Sequence, residues 1–285
     1  MQRSLLRDAV NMLTGTAQMK LSSAFQTALG ILATNTTLAR EVIAGRLPLD
    51  TWDPALNGAD RACMELLLRS QGQRVLALAE ILTARRKGKM LSRLPMTLAL
   101  LGRRIDGYWV EYLASTSIQG TTSAAAEAAA FAGWILDHLE LSCRDSQLIR
   151  YELCENEVAA KLIAPCDEHH PGPLLPGYRI LRSGNIKVES FDRGIDAALQ
   201  RFRAAGELAF EEQGTRVEMV FHRVPGRRGV VAATRISKAM SLVLEVARTE
   251  LEVESLLNAI PPARRAEIRT ALEALVNLSV LERRL

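Results

Sequence analysis

The sequence predicts a mainly α-helical protein with a smaller α+β part. Three observations lead there. Residues 1 to about 164 carry apolar side chains at helical spacing, in a chain where aromatics make up only 5% of 285 residues. A stretch with four prolines, residues 165–176, then interrupts the pattern. Beyond it come alternating strand-like runs, a turn-linked pair of them, and three helical segments. The expected organisation is therefore a helical domain over 1–164, a Pro-rich linker over 165–176 and a second domain over 177–285, in keeping with about two domains for this length.

The helical part is read in order. Ser4–Leu13 and Ser22–Leu32 are weakly amphipathic. Pro48 and Pro54 punctuate a loop around Trp52. A long helix over Ala59–Arg86 carries Leu66, Leu67, Val75, Leu78 and Leu82, with Gly72 as a candidate kink. A helix over Met96–Arg104 follows Pro95. Over Glu127–Ser142, the residues Phe131, Trp134, Ile135, His138 and Leu139 keep the i, i+3, i+4, i+7, i+8 rhythm. Asp145 is the expected N-cap of a helix reaching Ile163. That helix has Arg150, Cys154, Glu157 and Lys161 outward and Leu148, Ala159 and Leu162 inward, with Glu152 and Glu155 falling on the inner stripe.

After the linker, Tyr178–Phe191 reads as one or two strands about Ser183-Gly184. Phe191, Ile195, Leu199 and Phe202 mark a short helix. Thr215–Val224 and Val230–Ile236 read as strands joined by Pro225-Gly226-Arg227-Arg228-Gly229. Val217, Met219, Phe221 and Arg223 share one face; Glu218, Val220 and His222 share the other. Helices follow over Ser237–Arg248, Leu251–Ala259 and Pro262–Leu278, the last with Pro262 at its first position and Ile268, Leu272 and Leu275 inward. A hairpin followed by three short helices is the outline of a winged helix.

Composition narrows the function. The balance of 36 basic to 32 acidic residues, net +4, is mild for a dedicated nucleic-acid binder. Cys63, Cys143, Cys154 and Cys166 have no CxxC spacing and suit free thiols in a reducing, cytoplasmic compartment. Arg3, Arg7 and Asp8 break any early apolar run, so no targeting segment is expected. The longest uncharged stretch, Leu21–Ala39, is too polar for a membrane span.

Catalytic signatures are missing: no GxGxxG, Walker motif, HExxH or GxSxG. With four histidines in the chain, a His-rich metal site is not expected. The cluster Cys166-Asp167-Glu168-His169-His170 offers metal donors, but its spacing matches no closed zinc pattern, and no metal is assigned. His138 and His222 are read as structural. Glu152 and Glu155 read either as an acid or base in a pocket or, preferably, as carboxylates paired across the core with Arg103 or Arg104. Residues 85–104 hold seven cations and no acid: Arg85, Arg86, Lys87, Lys89, Arg93, Arg103 and Arg104. They read either as a solvated loop with helix ends or as a surface for an acidic partner. A winged helix also suggests DNA, through Arg264, Arg265 and Arg269 on its third helix and Arg227 and Arg228 on its hairpin, but Glu267 and Glu273 dilute that surface. The same outline can bind an extended peptide by strand addition.

A resemblance sharpens this choice. Leu94-Pro95-Met96-Thr97-Leu98-Ala99-Leu100-Leu101-Gly102 is followed by Glu127-Ala128-Ala129-Ala130-Phe131 and then by Leu148-Ile149-Arg150-Tyr151-Glu152. This order resembles the helical domain of the partner proteins of multinuclear non-heme iron oxidases. The spacing departs slightly from the family's last pattern at Tyr151, between Arg150 and Glu152. The part with Val220-Phe221-His222-Arg223, Ile236 and the helices over Leu242–Leu281 resembles their winged-helix domain, the RiPP recognition element. The resemblance covers about residues 60–285. The helices before about residue 60 depart from it. Within the family the layout is most similar to partner proteins of 3-thiaglutamate biosynthesis, whose oxidase acts on a C-terminal cysteine of a carrier peptide.

The resemblance implies a non-catalytic subunit, with no catalytic residue and no cofactor of its own, and iron in the partner oxidase. The chain would bind a precursor or carrier peptide in a groove between strand Val230–Ile236 and helix Pro262–Leu278. An extended peptide would pair with Val231, Ala233 and Arg235 and meet Arg265, Ile268, Arg269 and Leu272. Arg85, Arg86, Lys89, Arg103 and Arg104 would dock the oxidase. Nucleic acid and membrane are not expected partners. The alternative is a winged-helix DNA-binding regulator with a helical sensor domain.

Overall fold

The computed structural model of the chain describes residues 22–52, 56–116, 123–161, 177–192, 194–209, 216–225, 227 and 229–284. The expected helix over Ser4–Leu13, the Pro-rich stretch, the Cys166–His170 cluster and Arg228 lie outside these residues. The protein is mainly helical with a small antiparallel sheet part. It forms two compact units, one within residues 1–92 and 103–122, the other within 93–102 and 123–285.

In the first unit, helix α1 (Ser23–Thr34) starts where the Ser22 hydroxyl accepts from the Phe25 amide. It buries Phe25, Ala28, Leu29 and Leu32, a heptad-like stripe. The Asn35 side chain caps α2 (Thr36–Ile43) by accepting from Leu38, and its amide group donates to the Leu113 carbonyl. A short α3 (Leu49–Trp52) precedes α4 (Gly58–Leu91), which Asn57 caps through the Asp60 amide. Helix α4 runs unbroken for 34 residues, so Gly72 is no kink. Gly72 lies against α2: a Cβ there would sit 3.2 Å from Ile43 Cγ2. The glycine is selected by contact rather than by bending.

Helix α5 (Pro95–Leu101) belongs to the second unit, and the 3-10 turn Gly102–Arg104 leads to α6 (Ile105–Ser115) of the first. Two cations of the basic stretch are engaged inside the first unit. Arg86 donates to the Thr34 carbonyl and lies 5.6 Å over the Trp109 ring, and Lys87 pairs with Asp106.

The second unit continues with α7 (Ala124–His138), capped by Ser123, and α8 (Cys143–Lys161). The Ser142 hydroxyl, not Asp145, accepts from the α8 first turn; Asp145 lies inside that turn and supplies the amide donor. Strand β1 (Arg179–Arg182) and β2 (Lys187–Phe191) flank Ser183-Gly184 as expected, but they enter different sheets. Helix α9 (Ile195–Ala205), β3 (Val217–Arg223) and β4 (Val231–Ile236) follow. Then come α10 (Lys238–Val246), β5 (Leu251–Glu252), α11 (Val253–Ala259), α12 (Pro262–Asn277) and β6 (Leu281–Arg284).

One antiparallel sheet has the order β2-β3-β4, the other β5-β1-β6. The hairpin therefore pairs with β2 and is not part of the sheet that the three closing helices interrupt. Strand β3 is buried on both faces. Val217, Met219 and Phe221 pack with Tyr151 and Phe191 toward α8, whereas Val220 joins Ile236, Val243, Ile268 and Leu272 on the other side. Helix α8 thus packs on the sheet, and the composition break at 165–176 is not where the compact units divide. Its apolar stripe needs the strands to cover it. Cys154, expected outward, is in that same cluster, and burial pushes its thiol up to about 12.

Gly72→Leu is expected to force α2 off α4 and to destabilise the first unit by about 1–3 kcal/mol, the range for overpacking. Thermal denaturation followed by circular dichroism would measure it.

Candidate functional site

The buried polar groups of α8 organise the second unit. Glu152 is only 1% exposed. Its carboxylate accepts from the Met96 amide at 2.7 Å, the Thr97 amide at 2.9 Å and the Thr97 hydroxyl at 2.6 Å. These are the first-turn donors of α5, where Leu94 supplies no side-chain cap. The expected partners, Arg103 and Arg104, are exposed instead. A helix N-terminus answers the buried charge because two aligned amides and a hydroxyl solvate a carboxylate without importing a second charge. One turn on, Asn156 donates to the Arg93 carbonyl at 3.0 Å. At the other end of α8, Gln147 accepts from the Asp192 amide at 2.8 Å. Burial pushes Glu152 up to about 7, against the pull of its three donors. Burial also raises Glu155, outweighing the attraction of Arg203 and Arg93. Both carboxylate oxygens of Glu152 are engaged in holding the first turn of α5, which is a structural task.

The second polar feature is the outer edge of β4. No strand among the described residues pairs with it. The register with β3 is regular from Glu218↔Ile236 to Arg223↔Val231. The Val224 amide donates to the Val230 carbonyl at 2.9 Å, which fixes the phase of the ladder. In an antiparallel pair such bonded positions alternate with unbonded ones. The backbone groups of Ala232, Thr234 and Ile236 therefore face β3, and those of Val231, Ala233 and Arg235 face the free edge. Edge strands are commonly guarded by charge or proline. Here the sequence Val-Ala-Ala-Thr-Arg-Ile carries a single charge.

Around this edge, Arg235 lies 3.8 Å from Asp196 at the start of α9. The Tyr151 hydroxyl accepts from Arg203 at 3.0 Å. His222, 2% exposed, bonds Thr234 Oγ1 through Nε2 and the Arg223 carbonyl through Nδ1. Burial holds its imidazole below the usual value. His222 thus pins β4 to β3, in agreement with a structural role. His138 bonds back to the Trp134 carbonyl within its own helix.

The expected site residues are only partly brought together. Val231 and Ala233 are half-buried against the α8 cluster, and Arg235 is exposed. Ile268 and Leu272 are core residues, so their side chains cannot line an outer groove. They face inward because α12 covers the sheet with that stripe. Arg265 is tied to the Ile260 carbonyl, and Arg269 is exposed. In the first unit, Arg85, Lys89, Arg103 and Arg104 are exposed, whereas Arg86 is spent on Thr34 and Trp109. Among the described residues no cluster of His, Cys, Asp or Glu could hold a metal, and no helix is long and apolar enough to cross a membrane.

Met96 and Thr97, the partners of Glu152, are not marked by helical spacing. A signal was there: Pro95 opens a helix behind Leu94, which cannot cap it, so the cap must come from elsewhere in the chain. No local signal marks Asp196 as the neighbour of Arg235. Compared with models of known families and with curated proteins, the chain matches none.

The folded state holds the Glu152 proton more tightly than the unfolded chain does. Its share of stability is therefore present below the ordinary value of 4.5 and lost as pH rises through about 7. Glu155 acts in the same direction. His222, lowered, acts oppositely, with stability rising as pH climbs through 6.5. Urea unfolding between roughly pH 5 and 8 is expected to show a smaller loss in Glu152→Gln than in the wild type.

Proposed function

We propose that the chain is a non-catalytic peptide-binding subunit that takes an extended segment on the free edge of β4. The observation that carries this reading is the edge itself, a regular strand whose outward amides and carbonyls at Val231, Ala233 and Arg235 have no strand partner among the described residues and whose side chains carry almost no charge. Main-chain pairing supplies affinity in such a mode, and alternate side chains supply specificity. The second unit is read as a winged-helix domain of recognition-element type. In support, α10, β5, α11, α12 and β6 follow one another, and β1 from upstream lies between β5 and β6.

The resemblance of the Leu94–Gly102, Glu127–Phe131 and Leu148–Glu152 segments to oxidase partner proteins gives the peptide its destination. We infer that a multinuclear non-heme iron oxidase docks on the exposed cations Arg85, Lys89, Arg103 and Arg104 and performs the chemistry, on a C-terminal cysteine in the reading closest to 3-thiaglutamate biosynthesis. The contribution of this chain is then recruitment, which raises the effective concentration of the peptide at the partner's metals. Four exposed cations against the single nearby Asp106, which Lys87 already pairs, suit an acidic patch, and such pairing governs the association rate more than affinity.

The competing reading, a winged-helix DNA-binding regulator, is favoured by Arg264 and Arg269 on the outer face of α12. It is weakened by Glu267, 3.6 Å from Arg264, and by the exposed Glu273. The DNA reading requires duplex affinity that falls steeply with salt; a gel shift that stays negative at low salt removes it.

Ala233→Pro removes one outward donor at an edge position that tolerates proline. It is expected to weaken binding of a labelled precursor peptide about tenfold, the worth of roughly one good hydrogen bond, with the fold retained. Fluorescence anisotropy, with and without the oxidase, measures this. No anisotropy change for the wild type in either mixture would sink the reading. Reversing Arg103 and Arg104 to Glu is expected to slow oxidase association and reduce its salt dependence, read by surface plasmon resonance.

A further inference from the structure

A separate cleft lies in the first unit, away from the β4 edge and from the exposed cations Arg85, Lys89, Arg103 and Arg104. Its volume is about 520 Å³, within the size range of small-molecule sites. One wall is the end of α2 and the turn after it, with Ile43, Leu47 and Pro48. The other is a single face of α4, where Arg61, Glu65, Leu68 and Arg69 stand at i, i+4, i+7 and i+8. The aliphatic side chains Ile43, Leu47 and Leu68 are only half-buried, so the cleft offers apolar surface that the fold leaves partly uncovered.

The charges in the lining are not balanced. Glu65 is taken by Arg69, at 3.5 Å. Arg61 has no carboxylate within ion-pair reach among the described residues. Among the described residues its one polar contact is a long hydrogen bond from Nη2 to the Leu56 carbonyl, at 3.3 Å, and its Nε is sealed from water without an acceptor. An unpaired, partly desolvated guanidinium beside apolar surface is costly unless an anion answers it. Guanidinium geometry favours a carboxylate, which can accept two parallel N–H bonds.

We propose that this cleft binds an apolar carboxylate, with the carboxylate on the Arg61 guanidinium and the hydrocarbon body between Leu47, Pro48 and Leu68. The same chemistry is offered by a free medium-chain acid and by the C-terminus of a peptide ending in an aliphatic residue.

The test uses the full chain near neutral pH and calorimetric titration with four probes: octanoate, 1-octanol, N-acetyl-Leu-Leu as the free acid, and the same dipeptide as its amide. At least one carboxylate is expected to bind saturably, about tenfold or more tighter than its neutral counterpart, the range of a charge-assisted hydrogen bond. Arg61→Gln is expected to erase that preference, Arg61→Lys to keep part of it, and Leu68→Trp to abolish binding by filling the cleft. The tighter of octanoate and dipeptide acid identifies the source. The proposal is overturned if neither carboxylate binds saturably below about 5 mM, a weak limit even for a ligand of this size. Equal binding of the neutral probes, or an unchanged preference in Arg61→Gln, overturns it as well. Should Arg61→Gln fail to fold, the carboxylate-to-neutral ratio on the wild type decides.

Discussion

The Glu152 carboxylate joins two parts of the chain 56 residues apart, and the second unit is organised around that junction. Helix α5 has only seven residues, too few to persist alone in water. Its first turn has no local cap, so its leading amides would be left without acceptors. Glu152 supplies them, and in return three donors offset the cost of burying a carboxylate. Asn156 holds the preceding Arg93 carbonyl from the next turn of α8. The short helix is thereby fixed against α8, and Met96 enters the same apolar cluster as Tyr151 and Phe221. Loss of the carboxylate would expose the second unit twice, through orphaned amides and through a loosened α5.

With α8 so fixed, its other face is committed to the sheet. Tyr151, Phe191 and Phe221 meet with ring centroids 5.1–6.1 Å apart, the tilted arrangement that aromatic quadrupoles favour. Strand β3 is then enclosed between the α8 layer and the layer of α10 and α12. Its central position makes β4 an edge, and the His222–Thr234 bond holds β4 in register. The recognition surface we propose follows from packing rather than from any special loop. The sheet is covered above and below, and among the described residues a row of main-chain groups on β4 is left open.

Much of this was legible in the sequence, and the remainder has identifiable causes. The hairpin, its two-faced alternation and the closing helices could be read because their signals are local: period two, turn residues, Pro262 at a first helical position. The backbone groups of Val231, Ala233 and Arg235, the residues expected to meet a peptide, face away from β3 in the ladder. Ile268 and Leu272 are expected in a groove, yet their own periodicity marks them as inward, and the stripe is core. The partition into sheets was not readable, because β6 pairs with β1 across about 100 residues and a two-residue β5 has no pattern of its own. Spacing points to an arginine as the partner of Glu152, since it cannot tell a charge from an uncapped helix end. For the same reason the unpaired state of Arg61 has no sequence signature: its i+4 neighbour Glu65 looks like a partner and is bound elsewhere.

The central claim is that a peptide adds as a strand to the outer edge of β4. Amide hydrogen exchange, resolved by residue, tests it most directly when the precursor peptide is titrated into the protein. Added protection is expected at the Val231, Ala233 and Arg235 amides, while those of Ala232 and Thr234, already bonded to β3, change little. Peptide binding that leaves the three outward amides unprotected, or that protects the α12 surface instead, would contradict the account.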